Sequence, residues 1–70
     1  MGFSYNRLWK LLIDKKMNKT ELQKAVGLSP TTIAKLSKDE NVSMEVLGRI
    51  CENLKCDIAD IVEYKLEVME

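Results

Sequence analysis

The stretch from Asn18 to Leu36 leaves its chain few ways to fold, because it starts a helix, stops it and starts another within a few residues. Asn18 is a favoured cap. Glu21, three positions on, completes a reciprocal capping box, while Met17 and Leu22 stand at the two positions of a hydrophobic staple. The helix so begun carries Leu22 and Val26 on its inner face and runs into Gly27, the residue best able to take the left-handed conformation after a helix end. Leu28 follows, then Ser29-Pro30. Serine caps, and proline at the first helical position gives up only an amide that has no partner there. A second short helix therefore opens at Pro30, points Ile33 and Leu36 inward, and ends near Ser37-Lys38.

The flanking segments extend the pattern. Tyr5, Leu8, Trp9, Leu12 and Ile13 recur at helical spacing over residues 5–16, and Lys15-Lys16 suit the negative end of that helix. Residues 39–42 form a loop, and Ser43 caps a fourth helix with Val46, Leu47, Ile50, Cys51 and Leu54 on one stripe. Asp57 caps a short fifth helix bearing Ile58, Ile61 and Val62. The tail from Tyr64 to Val68 alternates apolar and charged residues, which is strand periodicity. A strand needs a partner, and the candidates are the Phe3–Tyr5 segment or another subunit's tail. The expected architecture is one all-α, five-helix domain over residues 1–70, with residues 63–70 as a short strand or dimer arm.

Size and composition narrow the function. Seventy residues, 46% hydrophobic and 31% charged, suit one small globular domain. A chain this short buries only about 60% of its unfolded surface and has little core to spare for a deep pocket. The longest apolar run, Leu11-Leu12-Ile13, is far short of the roughly 18 residues a membrane span needs, and no secretory signal opens the chain, so a cytoplasmic protein is expected. Histidine is absent, which removes the commonest acid/base catalyst and metal ligand. Cys51 and Cys56 lack the partners a zinc site requires and read as buried thiols. Asp57 and Asp60 are better explained by helix capping than by paired acid/base work. No enzyme, metal or cofactor is expected.

The balanced charge conceals a division. From Arg7 to Lys38 eight basic residues face two acidic ones; from Asp39 to Glu70 three basic residues face nine acidic ones. One half is suited to a polyanion, the other to water or a partner.

Two short helices joined by a glycine turn make a helix-turn-helix. Its DNA-binding form, running here from Lys19 to Lys38, needs apolar residues at its fourth, eighth, tenth, fifteenth and eighteenth positions and glycine at the ninth. Leu22, Val26, Leu28, Ile33, Leu36 and Gly27 meet all six. On these residues the chain resembles the Cro/XRE family of phage-repressor-like regulators over residues 5–62. The resemblance implies sequence-specific binding of double-stranded DNA by a transcriptional regulator, a repressor rather than an activator. It implies Thr31 and Lys35 as the residues meeting base edges, and Thr32 and Lys19 as phosphate contacts. Ser29 and the free amides at the second helix's start also suit a phosphate oxygen, and Lys38 is placed against backbone on the far side. Two departures stand out. Gln23 replaces the usual alanine where the helices approach closely. A common arginine–glutamate pair falls at Leu12 and Ser37, so an apolar contact is expected in its stead.

A domain this small reads a short footprint, so a homodimer is expected, with its contact in the acidic half, and with neither membrane nor small-molecule ligand as partner. The rival reading keeps the scaffold but binds protein, as an antitoxin or anti-regulator does. The acidic half, and a second helix poor in Arg, Asn and Gln, leave room for it.

Overall fold

The computed structural model describes residues 2–66. Its elements run β1 (Gly2–Ser4), α1 (Asn6–Asp14), α2 (Lys19–Val26), α3 (Pro30–Ser37), α4 (Met44–Leu54), a 3-10 turn (Ile58–Asp60) and β2 (Glu63–Lys65). The helices enclose a core of Tyr5, Leu8, Leu12, Leu22, Leu28, Leu36, Leu47, Ile50, Leu54 and Ile61, drawn from every helix and from both connections flanking the strands. Among the described residues no buried side-chain polar atom lacks a partner, and no helix is long and apolar enough to cross a membrane.

Local chemistry sets the helix ends. Asn18 Oδ1 accepts the Glu21 amide at 2.7 Å while Glu21 Oε1 accepts the Asn18 amide at 2.9 Å, so the capping box forms in full. Met17 is half-buried against the core to which Leu22 belongs. Gly27 turns left-handed at φ 78°, ψ 38°, and its amide returns to the Gln23 carbonyl. Ser29 caps α3 and Ser43 caps α4, each accepting the amide three residues on at 3.2 Å. At α1 the cap position is Tyr5, whose side chain cannot cap; buried Ser4 accepts the Asn6 amide at 3.3 Å instead.

Among the described residues four α-helices form where five were expected. Asp57 and Asp60 do make a reciprocal cap, with Asp57 Oδ1 accepting from the Ile58 amide at 2.7 Å and Asp60 Oδ2 accepting from the Asp57 amide at 2.9 Å. The turn they open ends at Ile61, because Glu63 is already extended against β1. The few residues between Asp57 and that strand are too short a run for an α-helix whose first turn is costly to nucleate.

The strand forms at Glu63–Lys65 and pairs antiparallel with β1 in the register Gly2↔Lys65, Phe3↔Tyr64, Ser4↔Glu63. Of the two partners expected for the tail, the N-terminal segment is paired with it within the chain; Glu67 and Val68 lie outside the described residues. The ribbon is pinned to α1 by Arg7, which donates to the Ala59 carbonyl at 2.9 Å and approaches Glu63 at 3.8 Å. Phe3 and Tyr64 meet edge to face across it, centroids 5.0 Å apart. Cys51 and Cys56 are free and half-buried at the rim of the core, not fully buried as expected.

Candidate nucleic-acid interface

The six positions of the helix-turn-helix template place α3 across α2 with one side open. Leu22, Leu28 and Leu36 are buried, and Val26 and Ile33 are half-buried against the same core. Gln23, at the crossing where alanine is usual, is half-buried, and both the Gly27 and Leu28 amides donate to its carbonyl at 2.9 Å. The longer side chain is accommodated without loss of the turn.

With Leu36 fixed inward, Thr31, Ala34, Lys35 and Lys38 are left exposed along α3 and its end. No acidic residue occurs from Pro30 to Lys38, and among the described residues neither Lys35 nor Lys38 is held in an ion pair. Of the acids that follow, Asp39 turns its carboxylate to the start of α1, and Glu40 lends its backbone carbonyl to the same segment. Asp39 Oδ1 accepts the Tyr5 amide at 3.1 Å, and the Tyr5 hydroxyl donates to the Glu40 carbonyl at 2.8 Å. Burial, assisted by the Asp39 carboxylate, raises the Tyr5 pKa above its ordinary 10.0.

Ser29 and Thr32 act together at the start of α3. Ser29 Oγ accepts the Thr32 amide, and the two hydroxyls lie 3.0 Å apart. One proton serves their mutual bond, whichever residue donates it, and the other is available to an outside acceptor at the helix's positive end.

Lys19 stands apart from the other five. Its ammonium donates to Ser37 Oγ at 3.1 Å and lies 4.3 Å from the centre of the Trp9 ring. Ser37 therefore makes a polar contact rather than the apolar one expected at its position, while Leu12 sits in the core. This meeting of α1, α2 and α3 is not legible in the sequence, because no periodicity within an element brings Trp9 to Lys19. The Tyr5 tie to Asp39 and Glu40, 34 and 35 residues away, was hidden for the same reason.

A bihelical turn with a cationic, unobstructed second helix defines a helix-turn-helix DNA-binding protein. Comparison with known proteins agrees. A model of the Cro/C1-type HTH DNA-binding domain matches residues 7–67. The chain is 35% identical over 57 residues to YozG of Bacillus subtilis (strain 168), described as an uncharacterized HTH-type transcriptional regulator, covering 79% of this chain and 68% of that one. The crystal structure of the transcriptional regulator VanUg superposes with a TM-score of 0.91 at 59% identity, over 94% of this chain and 88% of that one. The chain belongs to the Cro/C1-type helix-turn-helix family; it is a sequence-specific DNA-binding regulator and not an enzyme.

Proposed function

We propose that this single domain acts in the cytoplasm as a transcriptional repressor, laying α3 in the major groove of its operator. The observation that carries the reading is the outward side of α3, which is exposed, free of acids and lined by Thr31, Lys35 and Lys38. Lys35 donates to guanine O6 and N7, and Thr31 bonds or packs against a neighbouring base edge. Ser29, Thr32, Lys19 and Lys38 hold phosphates and set the register. Occupying the operator is enough by itself to exclude a competing protein, which makes repression the simpler outcome. The protein-docking rival is disfavoured, since a pure protein binder has no need for cations around one helix.

Selection of bound oligonucleotides from a random pool, followed by binding at several salt concentrations, tests the assignment. Lys35→Ala is expected to cost about 1–3 kcal/mol on the selected site and to relax its preference. Lys19→Ala is expected to weaken all duplexes alike and to reduce the salt slope by about one unit. Equal losses for Lys35→Ala on selected and random DNA would make it a phosphate contact only.

The functional unit we propose is a homodimer, reading half-sites about 34 Å apart. Its support is β2, which among the described residues pairs with β1 alone and leaves an edge open. Antiparallel self-pairing centred on Tyr64 sets Glu63 of each copy against Lys65 of the other and Val62 against Leu66. It also covers apolar surface around Leu66, 73% exposed, and Tyr64, 50% exposed.

A further inference from the structure

Trp9 is the sole tryptophan of the chain, and the helix-turn-helix template does not use it. Its helical neighbours Leu8 and Leu12 are fully buried, yet Trp9 is only half-buried. Part of its ring is given over to a cation. The Lys19 ammonium lies 4.3 Å from the ring centre and donates to Ser37 Oγ at 3.1 Å. The three groups come from α1, the first residue of α2 and the last of α3, so the ammonium rests where the three helices meet.

We propose that Trp9 is a positioning residue for DNA binding: its ring and the Ser37 hydroxyl hold the Lys19 ammonium ready to meet a backbone phosphate. The inference rests on the assignment of Lys19 to the DNA backbone. An ammonium has three N–H donors. Ser37 takes one and the ring face attracts the charge, and because Lys19 is solvent-exposed donor capacity remains for an anion. A free lysine loses most of its side-chain freedom when it engages a phosphate. Here that ordering is completed during folding, so less of it opposes binding. Ser37 also ties the ammonium to the end of the recognition helix, which couples the phosphate contact to the pose of α3.

A double-mutant cycle on the full chain, with duplex affinity measured against salt, tests the proposal. Trp9→Leu is expected to weaken specific and random duplexes alike, by about two- to five-fold, the affinity equivalent of an exposed cation–π contact. In a Lys19→Ala background the same substitution should have no further effect. Trp9→Phe, which keeps a ring face, should retain most of the affinity. Trp9 emission should shift on adding duplex to the wild-type chain, and shift much less in Lys19→Ala.

Equal losses from Trp9→Leu in both backgrounds would overturn the proposal and leave Trp9 as packing alone. So would wild-type affinity in a folded Trp9→Leu chain. If Trp9→Leu does not fold, Trp9→Phe and the emission change decide: emission unaltered by saturating duplex overturns the proposal. Failure of the DNA reading itself looks different, because the wild-type chain would then show no salt-sensitive binding to any duplex.

Discussion

Lys16, Asp39 and Lys55 each take a left-handed backbone at a helix end, with φ of 58°, 57° and 55°, where glycine is the easier occupant. Lys55 closes α4 in this way, its amide returning to the Cys51 carbonyl. An L-residue in that region costs roughly 1–2 kcal/mol, and glycine's greater unfolded freedom gives back about 0.5–1 kcal/mol. Lys55→Gly is therefore expected to stabilise the chain by about 0.5–1 kcal/mol, read as a raised thermal midpoint; a lowered midpoint would refute the strain. Asp39 differs, since its side chain holds the Tyr5 amide and a glycine there would lose that bond. Tyr5 offers a test through pH. Its folded-state pKa lies above 10.0, chiefly through burial. The stability this contributes is thus complete below that value and declines as pH rises through 10 and beyond. Tyr5→Phe should cost about 0.5–1.5 kcal/mol near neutrality and should flatten the alkaline part of the profile measured by denaturant unfolding. Cys56, raised from 9.0 by burial first and then by Cys51, leaves a smaller alkaline dependence in that variant.

At the scale of the element, legibility followed the range of the chemistry. The starts of α2, α3 and α4 were readable because capping joins residues three apart, and Asn18, Ser29 and Ser43 all cap as their sequence context implies. The turn was readable because Gly27 supplies a conformation others rarely adopt. The helix expected after Asp57 was misjudged since its length depends on β2, and β2 depends on β1 at the opposite end of the chain. In the proposed interface a cap residue is also a phosphate contact. Ser29→Ala is expected to cost about 1 kcal/mol of stability and to weaken binding to any duplex, because the hydroxyl pair at the head of α3 loses a member. Calorimetry and a salt titration together check it; unchanged affinity would confine Ser29 to capping.

For the whole molecule the question is how two copies meet. If β2 strands pair about Tyr64, Glu63→Lys sets like charges together twice, and so does Lys65→Glu. Each single variant should run as a monomer by sedimentation. An equimolar mixture should recover the dimer, because every facing pair is then opposite in sign. Glu63→Lys also loses its 3.8 Å contact with Arg7, so the Lys65→Glu result and the mixture carry the decision. A dimer that persists in both variants would place the interface elsewhere. By itself the amino-acid sequence determined the helix-turn-helix, its caps, its inward residues and the cationic outer side of α3, because each follows from contacts within a turn or two of chain. Packing between distant segments made the N-terminus pair with Glu63–Lys65, cut the fifth helix to one turn, and brought Trp9 and Ser37 to Lys19. Those outcomes depend on groups far apart in the chain, whose meeting is settled by how the helices pack around Leu8, Leu22 and Leu36.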